Sequence, residues 1–481
     1  MLIASACAFC VITGTSSLQA DPSQLPELGS ASGSMMTPSQ EKRLGKAFMR
    51  SVKASQQVVN EPFVKDYIET LGKQLGASAD NPNNKSLHFF IIEDPMINAF
   101  AGPDGHIGVY TGLLLTTQSE SELAAVVAHE IAHVTQNHLM RAFHQASQLS
   151  LPSAAVLLAA VVLGATVGGD AAIATAMGGQ AALLQSQINF TRANEKEADR
   201  IGIQTLFESN FEAHAMPLFF ERMGRANQAY SSELPEFLRT HPVTTNRIAD
   251  SMTRAEQHPY RQHIDSMGYA LVKAYYREKE FFNAKESLKF FASNLKEGRF
   301  RIKAAQQFGL FLAQMRLNRY EEAEKTINNL LVEHPLQPVF LLYQAKLMNQ
   351  MKQRRQAIGL LEDSLLVLPS NYPLSMQLAE LYVLDKQFEK AINLLMTQLD
   401  YRPEDEQIYR QIAAAWGDKG NKLMAHSFQA DYLYLVGQLE PAIKQLEIAL
   451  EQPGADFYTS SKLEARLAAL KKELAQIKEK S

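Results

Sequence analysis

Cysteine is almost missing from this chain. Two occur among 481 residues, Cys7 and Cys10, both within the first ten positions. Nothing downstream can close a disulfide, offer a thiolate to a metal or act as a cysteine nucleophile, so any metal site needs histidine and carboxylate donors. A surplus of positive charge is missing too. The 47 Lys and Arg face 51 Asp and Glu, a net charge of −4, which gives no reason to expect nucleic acid as a partner. A membrane-length apolar run is also lacking. The nearest approach is Leu157 to Gly169, within Leu151–Leu184. It is interrupted by Pro152, Gly164, Gly168-Gly169 and Asp170, and falls short of the roughly twenty strongly apolar residues a spanning helix needs.

What is present is enough apolar sequence for real cores, 46% of residues, in a chain long enough for two or three domains. Residues 1–20 read as a secretory signal peptide, with an apolar run from Leu2 to Ile12 and a partial cleavage pattern at Leu18-Gln19-Ala20. No Lys or Arg precedes that run, and a short buried N-terminal helix is the alternative. Residues 21–36 form a polar, Ser- and Gly-rich linker, which argues for the signal. Neither cysteine follows a lipid-anchor box. Once the signal is cut, the mature chain holds no cysteine and is indifferent to an oxidising compartment.

Thr37-Pro38 opens a helix as N-cap and first helical residue, and Glu61 to Leu75 continues the pattern with Phe63, Tyr67 and Leu71 on one stripe. Leu87 to Ile92 reads as a strand. After Asn98-Ala99-Phe100-Ala101 and a Pro103-Asp104-Gly105 turn, Ile107-Gly108-Val109-Tyr110 reads as another. Its flanking Pro and Gly predict an edge strand, on which Ile107, Gly108 and Val109 would take an extended substrate.

The next stretch, Val126-Val127-Ala128-His129-Glu130-Ile131-Ala132-His133, lies on a helix predicted from Ser119 to Gln148. His129 and His133, four residues apart, share one face and can grip a zinc ion, with Glu130 placed to take a proton from its water. His138 falls on the opposite side of that helix and His144 lies too far along it, so both read as ordinary histidines. A helix from Ala193 carries Glu195-Lys196-Glu197-Ala198-Asp199, with Glu195 and Asp199 on one face. Zinc in a hydrolase takes three protein ligands and one open position for water, whose pKa falls from about 16 to about 7. Glu195 is the best third ligand. Glu130 is the base that passes its proton to the leaving amine. Asp199 would orient a ligand histidine or take part in proton transfer. His241, before Pro242, either caps a local turn or approaches the zinc, stabilising an oxyanion or occupying the open position. Arg247 either holds that segment against a carboxylate or is simply exposed. The Ala/Gly-rich 151–184 segment reads as buried helices or a hairpin beside the site, with peripheral membrane contact left open.

From about Asp265 the chain becomes repetitive. Ala323, Ala357, Ala391 and Ala425 recur every 34 residues, with Pro335, Pro369 and Pro403 each twelve later. Ala345, Ala379 and Ala413 stand twelve before the alanine of their own repeat. This is the tetratricopeptide period, a helix pair whose small residues pack closely and whose concave face binds segments of other proteins. At the end, Ser461-x-x-Glu464 reads as a capping box for a one-faced helix that closes the array, or a short coiled coil. The fold class is therefore mostly α. An α+β zinc-peptidase domain over residues 37–262 has its HExxH helix and a small sheet with an edge strand, and an α-solenoid of tetratricopeptide repeats follows over 263–481.

His129-Glu130-x-x-His133 with Glu195-x-x-Ala198-Asp199 resembles the zinc metallopeptidase family of the CAAX prenyl proteases and the heat-shock protease HtpX. Asn98-Ala99-Phe100-Ala101, Gly105-x-Ile107-x-Val109-x-Thr111-Gly112-Leu113 and His241-Pro242-x-Thr244-x-x-Arg247 add to that resemblance over roughly residues 60 to 250. It implies one Zn2+ per chain held by His129, His133 and Glu195, with Glu130 as catalytic base and Asp199 as an active-site acid. A signal peptide, peptidase and repeat array together are similar to periplasmic members of Gram-negative bacteria. That likeness implies a periplasmic endopeptidase and chaperone working on unfolded or misassembled outer-membrane proteins, docked through its repeats on the β-barrel assembly machinery. A chaperone or scaffold with a silent metal site is the alternative from another class.

Overall fold

The computed structural model describes residues 37–82, 84–141, 192–229, 236–454 and 456–478. The expected signal peptide, the linker, His144 and the 151–184 segment lie outside them. Helix α1 (Pro38–Ser55) starts where Thr37 accepts from the Gln40 amide while the Gln40 side chain returns to the Thr37 amide, a reciprocal cap. It buries Leu44, Phe48 and Val52, and α2 (Pro62–Ser78) buries Phe63, Val64, Ile68, Leu71 and Leu75.

Three short strands follow: β1 (His88–Ile92), β2 (Ala99–Ala101) and β3 (His106–Tyr110), ordered β1-β3-β2. β3 runs parallel to β1, pairing Gly108 with Phe90, and antiparallel to β2, pairing Gly108 with Phe100. Ile107, Gly108 and Val109 are therefore central, not the predicted edge. The reason is local. Asp104 and Gly105 take φ of 57° and 71°, so the chain folds back tightly and Ala99–Ala101 covers the side of β3 expected to be free. Only glycine fits position 105, since a Cβ there would stand 1.8 Å from the Ser86 carbonyl oxygen.

After α3 (Thr111–Thr116), α4 (Glu120–Thr135) is buried along its whole length. Ser119 Oγ accepts from the Glu122 amide, and Asp265 Oδ1 accepts from the Glu120 amide at 2.8 Å. The helix does not run on to Gln148 as predicted. It stops at Thr135, Asn137 adopts φ 57°, and a new helical turn begins at His138. Asparagine tolerates that left-handed conformation, which a continuing helix forbids. Helix α5 (Arg192–Glu208) packs against α4 at Gly202, where a Cβ would meet the His129 backbone nitrogen at 3.2 Å. Helices α6 (Ala215–Ala229), α7 (Glu236–Thr240) and α8 (Thr245–Ala255) complete this half.

Six helix pairs follow: α9 (Met267–Lys279) with α10 (Ala284–Glu297), α11 (Lys303–Arg316) with α12 (Tyr320–Glu333), α13 (Pro338–Gln350) with α14 (Arg354–Val367), α15 (Tyr372–Leu384) with α16 (Phe388–Tyr401), α17 (Glu406–Asp418) with α18 (Lys422–Leu435), and α19 (Leu439–Glu451) with α20 (Phe457–Lys478). Ala323, Ala357, Ala391, Ala345 and Ala379 are fully buried where helices meet. Pro335, Pro369 and Pro403 lie just past the ends of α12, α14 and α16. The final capping box is not formed, because α20 starts earlier, with Asp456 Oδ1 accepting from the Thr459 amide at 2.6 Å. Leu463 and Leu470 bury the inner face of α20 beside α19, which closes the array.

The repeats hold part of their own chain. Phe63 of α2 packs edge-on against Tyr275, Tyr343 and Phe308, each from the first helix of a pair. Charged contacts surround that core: Lys65 with Asp405 at 2.9 Å, Lys53 with Glu406 at 3.0 Å, Lys346 with Glu61 at 2.9 Å, and Arg402 with Asp66 and Glu69. The two halves share one apolar cluster and form one compact unit. Among the described residues, no helix is long and apolar enough to cross a membrane.

Candidate metal centre

The helical spacing of α4 stacks His129 and His133 so that their Nε2 atoms lie 3.0 Å apart. Glu195, in the first turn of α5, reaches between them, with Oε1 3.4 Å from His133 Nε2 and Oε2 3.6 Å from His129 Nε2. His241, just past α7, completes the group with Nδ1 3.1 Å from Glu195 Oε1 and 3.4 Å from His129 Nε2. One donor atom from each of the four falls within 4.8 Å of the others, and none of the residues is more than 2% exposed. Two imidazoles and a carboxylate converging at these distances form a donor group that could hold a metal ion. The donor set is nitrogen and oxygen without thiolate, which fits a divalent ion of the zinc type.

The electrostatics agree. Burial works to lower His129, yet the carboxylates of Asp199 and Glu195 outweigh burial and push it up to about 10. Burial and the neighbouring His129 hold His133 well below the ordinary imidazole range. Burial alone would raise Glu195, but His241 and His129 keep it well below the usual carboxylate range. The cluster thus strongly attracts one positive charge.

Glu130 is fully buried, and burial raises its pKa. The Ala101 amide of β2 and His241 Nε2, 3.4 Å from Oε1, favour its charged form without completing a hydrogen bond. This places the free side of β2 beside Glu130. On either side of β2, Asn98 and Gly102 bond to β3, so the intervening Ala99 and Ala101 turn their peptide groups away from β3. Among the described residues the side of β2 away from β3 pairs with no strand, and β2 itself is buried; Ile107–Val109 has no free edge.

Asp199 Oδ1 lies 3.0 Å from His129 Nδ1, away from the face that meets Glu195. The approach is close, yet His129 Nδ1 completes no aligned hydrogen bond, so this is an electrostatic contact between the carboxylate and that histidine. Arg247 is 3% exposed, which excludes the exposed reading. Its Nε and Nη2 donate to the two Asp199 oxygens at 2.8 Å. Nη1 lies 2.8 Å from Glu195 Oε2 and donates to the Pro242 carbonyl, and the guanidinium stacks over Phe220 at 5.1 Å. One side chain therefore ties Asp199, Glu195 and the His241 turn together.

His138 and its partner Glu197 escaped the sequence reading. His138, read as an ordinary histidine on the far side of α4, is fully buried with Nδ1 2.9 Å from His133 Nδ1. Its Nε2 lies 3.0 Å from Glu197 Oε2. The helical-wheel argument failed because the helix breaks at Gln136-Asn137. The clues available were the His133-x-x-x-x-His138 spacing and the breaker between them.

Comparison with known proteins gives a concordant result. Residues 62–255 match peptidase family M48, and residues 349–415 match a tetratricopeptide repeat. The chain is 33% identical to the beta-barrel assembly-enhancing protease of Escherichia coli strain K12 over 450 residues, which is 93% of this chain and 91% of that one. It is 40% identical to the Vibrio cholerae protein provisionally given the same name, over 318 residues, or 66% of this chain and 65% of that one. The Yersinia pestis protein of that name is 31% identical over 93% of this chain and 92% of its own length.

Proposed function

Because the chain belongs to peptidase family M48 and carries tetratricopeptide repeats, we propose that it is a periplasmic zinc endopeptidase and chaperone for outer-membrane β-barrel proteins. The observation that carries the peptidase reading is the buried group of His129, His133, Glu195 and His241 with the carboxylate of Glu130 beside it. His129, His133 and Glu195 would hold the ion. Zinc bound there supplies Lewis-acid activation of water and of a scissile carbonyl. Glu130 accepts the water's proton and returns it to the leaving amine, and its burial brings its pKa closer to working pH than that of an exposed glutamate. The outward peptide groups of Ala99 and Ala101 would align an extended substrate segment along α4. The relatives' names point to β-barrel assembly; in this reading the clients would be unfolded or misassembled barrel proteins, and the repeats would engage the assembly machinery.

His241, with Nδ1 3.1 Å from Glu195 Oε1, would be a fourth donor where a catalytic zinc site uses three protein ligands and a water. This supports a resting form in which His241 must withdraw before substrate binds, with His241→Ala expected to raise proteolysis. A drop instead assigns His241 to stabilising the oxyanion. The same closed group favours a second reading, a chaperone with a structural metal. Cleavage of an unfolded outer-membrane protein by the parent and by Glu130→Gln separates the two. The peptidase reading expects at least about a 100-fold loss with metal retained, and equal cleavage by both proteins would end it.

A further inference from the structure

The proposed chemistry uses His129, His133, Glu195 and Glu130, yet it leaves a buried histidine contact behind the centre without a role. On an unbroken helix His138 would stand about 500° from His133, some 140° around the axis, facing away. The left-handed Asn137 reverses this, and the turn that starts at His138 points its ring back onto His133, Nδ1 to Nδ1 at 2.9 Å. Glu197, two residues after Glu195 on α5, meets the other side of the ring at 3.0 Å.

With a metal held at His133 Nε2, one arrangement of the protons satisfies these contacts. His133 turns Nε2 toward His129 and Glu195, so its coordinating lone pair is on Nε2 and its proton on Nδ1. That N–H donates to His138 Nδ1, which must be the acceptor nitrogen. The His138 proton is then on Nε2 and donates to Glu197 Oε2. We infer that His138, fixed by Glu197, is a positioning residue that sets the tautomer and ring orientation of His133 and so governs metal retention. The two ligand histidines are thus supported unequally. His129 leans on a buried carboxylate clamped by Arg247, while His133 leans on an imidazole backed by a carboxylate that is 37% exposed. The His133 arm reaches the surface, and the His129 arm does not.

This inference rests on the metal-centre reading, so its test measures metal as well as activity. Parent, His138→Phe, His138→Asn and Glu197→Ala are compared for zinc retention against a chromogenic chelator and for the visible absorption of the Co2+-substituted protein, with circular dichroism as the folding check. His138→Phe is expected to weaken retention by about tenfold or more and to shift the cobalt bands. His138→Asn is expected to restore most of it, since its Oδ1 can accept from His133 Nδ1. Retention and cobalt bands of His138→Phe matching the parent, or no rescue by Asn, overturn the inference. If His138→Phe does not fold, Glu197→Ala decides: a severalfold loss supports it and an unchanged spectrum overturns it. A parent that retains no metal would sink the metal-centre reading instead.

Discussion

Arg247 shows how much of the centre depends on one guanidinium, which meets Asp199 through two N–H groups and Glu195 through a third. Both carboxylates are buried, and both are held below their ordinary range partly by charge from this cluster. Removing the cation leaves them uncompensated, so Arg247→Met is expected to destabilise the metal-free protein by about 3–5 kcal/mol, read by urea unfolding. At this scale the sequence was informative where a rule is local. His129, Glu130 and His133 follow from one helical turn, and Glu195 and Asp199 from the next carboxylate pair on a helix face. His138 was illegible because the same rule was carried across Asn137, whose backbone breaks it. The buried state of Arg247 was illegible for a different reason: nothing in its own neighbourhood announces Asp199, 48 residues away.

Among the elements, the α4–α5 contact is the tightest constraint. Gly202 lets the α5 backbone approach His129, and a side chain there must push the helices apart. Gly202→Val is therefore expected to pull Glu195 away from the histidines and weaken metal retention more than it lowers the melting temperature. At the start of α4, Glu120 accepts from Ser266 and Tyr67 and pairs with His263 at 3.4 Å. The hydrogen bond to Glu120 raises the His263 pKa above its unfolded value. Its stabilisation is complete below the ordinary imidazole value of about 6.5 and is lost as pH rises through the raised folded value. The melting difference between parent and His263→Gln is thus expected to shrink as pH rises above about 6.5. Element types were largely legible, from periodicity and caps. The sheet order was not, because a three-residue strand such as Ala99–Ala101 is too short to show alternation, and the tight turn that makes it pair is set by φ at Asp104 and Gly105. The same holds for the intra-repeat turns. Asn318, Lys352, Lys386 and Gly420 recur every 34 residues with left-handed φ, a backbone period hidden behind changing side chains.

For the molecule as a whole, α2 is the shared core of both halves: Phe63 lies among repeat aromatics while Ile68 and Leu75 are buried in the same apolar cluster. Calorimetry of the full chain is expected to show one cooperative transition, and residues 37–262 alone to expose Phe63 and its neighbours and aggregate. Two transitions would show that the halves fold independently. The capping of α4 by Asp265 carries this further, into engineering. The residue that satisfies the first amide of the HExxH helix belongs, by sequence position, to the repeat segment. A chimaera that grafts foreign repeats at position 263 therefore removes a helix cap from beneath the metal centre, whereas one joined after Ser266 keeps Asp265 and the Glu120 contacts. The seam between catalytic and recognition modules lies a few residues inside the apparent repeat segment, and exchange of specificity among relatives is expected to respect it.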